Sequence, residues 1–111
     1  MPEERYSDWA IPYRERLIDL YTGLLAALVE IHEAAGADTE AAEVARELVD
    51  LDPLNEGGHR ALITAYARVG RTGYALRQYL ECRRALVEQL GVEPSEATSR
   101  LQARILAGEA I

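Results

Sequence analysis

The stretch "ALITAYARVGRTGYA" (61–75) decides the fold, because its outline already stands 34 residues earlier as "ALVEIHEAAGADTEA" (27–41). Gly23, Ala27, Leu28, Gly36, Ala41 and Glu47 return as Gly57, Ala61, Leu62, Gly70, Ala75 and Glu81; Val29 is matched by Ile63, and His32 by Tyr66. The recurring positions have a common physical sense. Small residues at 41 and 75 let one helix approach another closely. Large ones at 28 and 62, with a ring at 66, fill the space between helix pairs. Gly36 and Gly70 serve turns where a positive φ is needed.

A period of 34 is that of tetratricopeptide repeats, each a helix–turn–helix hairpin that buries its apolar face only by stacking on a neighbour. The expected fold is therefore all-α: tetratricopeptide-like antiparallel helical hairpins stacked in a right-handed superhelix, about five helices in one domain over 1–111. An N-terminal extension (1–11) precedes a first hairpin (12–52), a second hairpin with an elongated helix (53–93) and a terminal helix (94–111).

The first helix is predicted from near Pro12 to Ala35, with Leu17, Leu20, Tyr21, Leu24, Leu28 and Ile31 inward at three- and four-residue steps. Asp38 or Thr39 caps the second, whose Ala41, Val44, Ala45, Leu48 and Leu51 face the core. Asp52 caps the third with Pro53 at its first position; Leu62, Ile63, Tyr66 and Val69 form its stripe. Thr72 caps the fourth, which presents Ala75, Leu76, Tyr79, Cys82, Leu86 and Leu90 and stops at Gly91. Ser95 caps a fifth with Leu101 and Ile105 inside. Pro94 follows Pro53 by 41 residues instead of 34, so the fourth helix should outrun its partner by up to two turns, roughly 10 Å.

Composition excludes several classes. The 49% of hydrophobic residues supports a continuous core and rules out a disordered acidic tail. No run reaches the ~20 apolar residues of a membrane span, and "MPEERYSDW" has no signal-peptide h-region, so a cytoplasmic protein without membrane contact is expected. The net charge of −7 argues against direct nucleic-acid binding by this segment. Charge is uneven: 13 acids against 4 arginines in 1–52 give −9, and 6 arginines against 3 glutamates in 53–90 give +3.

No nucleophile–base set, phosphate loop or metal-ligand spacing appears, so no catalytic residue, cofactor or metal site is expected and the chain does not read as an enzyme. His32 reads as a packing residue in the slot that Tyr66 fills, and His59 as lying beside the hairpin interface. Cys82 reads as a small buried hydrophobe. Asp50 and Asp52 read as helix-end charges. Gly57 and Gly58 suggest close helix approach, with Gly23 at the equivalent place. Trp9 and Tyr13 either anchor the first helix or cover a face where other helices pack. Partner-binding candidates are Arg60 and Thr64 on the third helix, with Arg68, Arg71, Arg77, Arg83 and Arg84. Their positive charge suits an acidic partner, such as the acidic first half of a second copy.

"LDPLNEGGHRALITAYARVGRTGYALRQYLECRRALVEQLGVEPSEATSRL" resembles the bacterial transcriptional activator domain, the helical module of SARP- and AfsR-type regulators. The resemblance lies in D-P-L-x-E followed by H-R, a G-R turn before A-L-x-x-Y, then C-R-R-x-L and L-G-V-E-P-S. "YSDWAIPYRERLIDLY" is similar to that domain's W…R-E-R-L entry, and the similarity covers about residues 6–106. It implies a non-catalytic regulatory and protein-interaction module, a fragment of a larger regulator whose winged-helix domain binds DNA. Expected partners are that winged-helix domain, a second copy as a homodimer, and the transcription machinery. The alternative is a generic tetratricopeptide adaptor for a peptide unrelated to transcription.

Overall fold

A computed structural model describes the backbone of residues 2–111 and side chains from Pro12 onward, so the reading of Trp9 lies outside the described side chains. Among the described residues there are five helices and no strand: α1 Pro2–Ala34, α2 Asp38–Leu51, α3 Glu56–Arg68, α4 Thr72–Leu90 and α5 Glu96–Leu106. Consecutive helices pack on one another, α5 also returns to α3, and α1 touches α3; the backbones of α2 and α4 stay apart, bridged by a hydrogen bond from Arg46 to Gln78. The result is two layers, α1/α3/α5 over α2/α4, which is how stacked helical hairpins are built.

The 34-residue repeat is visible in the backbone bonds. Gly36 and Gly70 sit at φ +72° and +80°. Just past each, a peptide N–H closes onto the carbonyl five residues back: Ala37 to His32 (2.9 Å) and Arg71 to Tyr66 (2.8 Å). The glycine adopts the left-handed conformation that lets this closure form. Ala41 and Ala75 are buried, at 3% and 0% exposure, where α2 and α4 lie against their neighbours. One cluster joins Leu25 and Val29 to Ala45, Leu48, Val49, Ala61 and Leu62; a second joins Ile63, Ala75, Tyr79 and Ile105. Burying a side chain the size of Leu48 or Ile63 stabilises the fold by roughly 1.5–3 kcal/mol.

Several boundaries differ from the sequence reading. α1 begins at Pro2 and carries Pro12 inside it, where the ring has no N–H for the carbonyl four residues back. Ala37, not Asp38 or Thr39, is the residue before α2, and Arg71, not Thr72, precedes α4. The backbone closures just described occupy these positions, leaving the side chains without a capping role. Asp52 does not cap α3. Its Oδ1 accepts from Leu54 N–H (3.3 Å) in a turn, and Asn55 Oδ1 caps the helix through Gly58 N–H (3.0 Å). α4 has 19 residues against 14 in α2, so five of the extra residues lengthen the helix by roughly 7.5 Å. Leu51, Val69 and Leu90, expected inside, are exposed at 44%, 70% and 58% because each lies at the last turn of its helix or beyond it.

The first turn of α3 accounts for the paired glycines. A Cβ at Gly58 would stand 2.9 Å from Val49 Cγ1 and 3.1 Å from Leu48 Cδ2, whereas one at Gly57 meets only the Asn55 and Arg60 side chains, and one at Gly23 meets nothing. Close approach therefore belongs to Gly58, not to the Gly23/Gly57 pair. Gly58→Ala is expected to cost about 1–2 kcal/mol through overpacking. Gly57→Ala should stay within about 0.5 kcal/mol of the parent, a crowded cap oxygen offsetting the better helix former. Urea midpoints of the two variants check this.

Candidate interaction surfaces

Two polar networks, neither evident from the sequence, tie the helices together: one joins the two hairpins and the other joins α3 to α5. In the first, His59 and Gln78 are both buried, at 3% exposure. His59 Nε2–H donates to the Pro53 carbonyl (2.8 Å), so Nδ1 is the lone-pair nitrogen and accepts from Gln78 Nε2 (2.9 Å). Gln78 Oε1 in turn accepts from Arg46 Nη2 (2.9 Å), which also donates to Tyr66 Oη (3.2 Å). His59 thus lies within the interface between α3 and α4, not beside it. Burial, with the Arg46 charge adding to it, pushes its pKa below the usual 6.5 although the Pro53 bond works the other way.

In the second network, Glu56 in the first turn of α3 reaches the N-terminus of α5. Its Oε2 accepts from Thr98 Oγ1 (2.6 Å), Ser95 Oγ (2.8 Å) and Ser95 N–H (3.0 Å). Ser95 is the N-cap residue, as expected, but its side chain takes no first-turn N–H; Glu56 holds it in place instead. Partial burial would raise the Glu56 carboxyl, but the hydrogen bonds from Thr98 and Ser95 and the charge of Arg60 outweigh it and hold it below the usual range. Thr98 is fully buried and also accepts from Arg60 Nη1 (3.0 Å).

The signs of these shifts fix a pH dependence. A histidine lowered on folding lets the unfolded chain bind more protons below pH 6.5, so stability is full above that value and falls as pH drops through it. The lowered Glu56 adds a further loss as pH falls through about 4.5, its ordinary value. Glu33, raised by burial, acts in the opposite sense. Urea midpoints should fall between pH 6.5 and 5.5, and His59→Gln should remove most of that slope.

The seven candidate residues do not converge on one face. Arg60 is half-buried and committed to Thr98 and, at 3.7 Å, to Glu56; Thr64 lies one turn on, half-buried on α3. Arg68 pairs with Asp38 (2.8 Å). Arg71 and Arg77 both lie over the Tyr74 ring, 5.6 and 5.3 Å from its centre, and Tyr74 stacks on Tyr66. Arg83 is held by both oxygens of Glu93 (2.7 and 2.8 Å), and Arg84 is exposed beside it on α4. The candidates meet at most in pairs: Arg68 and Arg71 on a groove between α2 and α3, Arg71 and Arg77 over Tyr74, and Arg83 and Arg84 side by side on α4.

The largest departure from the sequence reading is α1. Its expected core stripe faces outward: Leu17, Leu20, Tyr21, Leu24, Leu28 and Ile31 are 37–66% exposed. Leu25 and Val29, one position along from Leu24 and Leu28, are buried instead. α1 carries an apolar series at 17/20/21/24/28/31 and a sparser one of Ile18, Leu25 and Val29, with Thr22 and His32 on the same side; α2 with α3 covers Leu25 and Val29 and leaves Ile18 exposed. α2 is also short, about 21 Å against about 50 Å for α1. Tyr13 and Ile18 continue the exposed apolar surface, and Tyr21 Oη donates to Glu47 on α2 at its edge. A helix apolar on two sides is normally sandwiched.

Among the described residues, no group of three His, Cys, Asp or Glu side chains is placed to hold a metal ion. Cys82 is buried as expected, and burial lifts its thiol to about 11, far from a reactive thiolate. No described helix is long and apolar enough to cross a membrane.

Comparison with known proteins agrees with the residues that carried the resemblance. Residues 2–106 match the family described as "Bacterial transcriptional activator domain". The chain is 34% identical over 98 residues to the regulatory protein AfsR of Streptomyces coelicolor, which covers 88% of this chain and 10% of that protein. It is 31% identical over 99 residues to the transcriptional regulator RedD of the same organism, covering 89% and 27%. It is 33% identical over 91 residues to the regulatory protein DnrI of Streptomyces peucetius, covering 82% and 34%. The matched segment thus spans about a tenth to a third of these relatives.

Proposed function

The chain belongs to the bacterial transcriptional activator domain family, and on that footing we propose that it is a non-catalytic, protein-interaction module of a transcriptional regulator. DNA binding falls to a winged-helix domain outside these residues, and the outward face of α1 is the surface through which the module is held against its regulator. One observation carries this reading: the exposed row Leu17, Leu20, Leu24, Leu28 and Ile31 on a helix whose opposite side is already packed. An apolar surface of this extent costs free energy in water and marks an interface. The acidic balance of the first half, −9 over residues 1–52, fits docking on a basic, DNA-binding neighbour while the module itself stays off DNA.

The test is a promoter reporter driven by the gene that encodes this chain, with Leu20→Ser and Leu24→Ser introduced together. Reporter output should fall to background while the purified helical module melts within a few degrees of the parent. Full output from the double variant would contradict the proposal.

A further inference from the structure

The groove between α2 and α3 is independent of the α1 surface. It has a volume of about 560 Å³, within the few-hundred-Å³ range of small-ligand sites. Its apolar lining comes from Ala42, Leu62, Ala65, Tyr66 and Val69, the last of these 70% exposed. Three arginines and two acids stand around it. Arg68 and Asp38 neutralise one another at 2.8 Å, which leaves Arg46 and Arg71 against the single exposed carboxylate of Glu43.

Arg46 is the informative one. It is half-buried, and its partners, Tyr66 Oη and Gln78 Oε1, are neutral. Among the described residues no carboxylate lies within ion-pair distance of it, and only one of its three guanidinium nitrogens is engaged. A partly desolvated cation without a counter-charge costs free energy unless an anion completes it. The cost is borne at a fixed position, because the buried relay from Gln78 through His59 to the Pro53 carbonyl pins the guanidinium from behind. A pre-placed cation with unused donors at the edge of an apolar groove is the arrangement that takes a carboxylate on an apolar body.

We propose that this groove binds a small organic carboxylate, its apolar body on Leu62, Tyr66 and Val69 and its carboxylate between Arg46 and Arg71. A free small molecule is favoured over an extended peptide. The next depression, about 240 Å³ between α1 and α3, shares none of the groove's lining residues and has Glu30 and Glu33 on its edge, so an acidic strand has no continuation there.

The experiment is amide NMR titration of the chain with octanoate, acetate and octan-1-ol, and with the peptide N-acetyl-Leu-Glu-Leu-amide. Octanoate is expected to bind saturably with a dissociation constant of about 1 mM or tighter, in line with some ten heavy atoms. Shifts should be confined to residues 38–46 and 62–71, and acetate and octan-1-ol should bind at least tenfold more weakly. Arg46→Met should weaken octanoate by about tenfold or more. Arg71→Gln, at an exposed position that cannot upset the core, should weaken it severalfold. Equal binding of octanoate and octan-1-ol, shifts centred elsewhere, or no effect of Arg71→Gln would overturn the site. Binding of the peptide without octanoate would overturn the small-molecule assignment and make the groove a protein-docking surface. None of these results bears on the α1 reporter test, so the two proposals fail separately.

Discussion

Leu25→Ala is expected to cost the chain about 2–4 kcal/mol, whereas Leu24→Ala next to it changes stability by less than about 0.5 kcal/mol. Leu25 is 4% exposed and packs with Val29, Leu48 and Leu62. Truncating it removes its transfer free energy and leaves a cavity between α1 and the second layer that rigid helices only partly close. Leu24 is 61% exposed, and the same deletion takes atoms mostly from water. Urea unfolding separates the two variants readily, because a loss of about 2–4 kcal/mol is a large fraction of the ~5–15 kcal/mol that holds a domain together. A large loss at Leu24 would mean that the first helix is rotated from the orientation described here.

Glu56→Ala is expected to cost about 2–3 kcal/mol and to release α5 before the rest unfolds. Three donors converge on that carboxylate, and Thr98, fully buried, would lose its short bond to it and keep the bond from Arg60 and a long one, 3.4 Å, with Ser95 Oγ. The Ser95 N–H and hydroxyl would turn to water at the surface, which is why the cost stays below the full sum of three charge-assisted bonds. Hydrogen exchange reads the effect directly. Amides of 96–106 should exchange at least tenfold faster in Glu56→Ala, with those of α2 changed much less. Glu56→Gln should recover part of the protection, since its Oε1 still accepts while its charge is gone.

Those same residues explain why the family motifs travel together. Glu56 of D-P-L-x-E holds Ser95 of L-G-V-E-P-S, His59 and Arg60 of H-R enter the two polar networks, and Arg83 of C-R-R-x-L grips Glu93. The motif residues make contacts within the second hairpin and from it to α5, separated in sequence by 6 to 42 residues. Their spacing carried the resemblance, but their chemistry could not be read from it, because a carboxylate that holds the start of another helix leaves no local signature. The same limit hid Arg46 and Gln78, which are ordinary polar residues on helices until a partner 32 positions away is brought opposite.

The repeat was legible because it is local and periodic. Small residues at 41 and 75 and glycines at 36 and 70 recur where backbone geometry demands them, and the structure places all four as expected. The orientation of α1 was not legible. A rich apolar series, 17/20/21/24/28/31, and a sparse one, Ile18, Leu25 and Val29, run along it, and by spacing alone the richer one reads as the core. Hydrophobic periodicity tells which residues avoid water in the finished assembly, not which are covered by the chain at hand. The arginines mislead for the opposite reason: charge on neighbouring helices looks like one surface in sequence, while antiparallel packing spreads it over a clamp, a groove and the far side of α4.

The most direct measurement is carbene footprinting of the chain at a concentration low enough to keep it monomeric, read at single-residue level along α1. Leu20, Leu24 and Ile31 should be labelled heavily, and Leu25 and Val29 hardly at all, since 66%, 61% and 60% exposure stand against 4% and 3%. Protection of Leu24 with labelling of Leu25 would contradict the packing described here and remove the surface on which the proposed function rests.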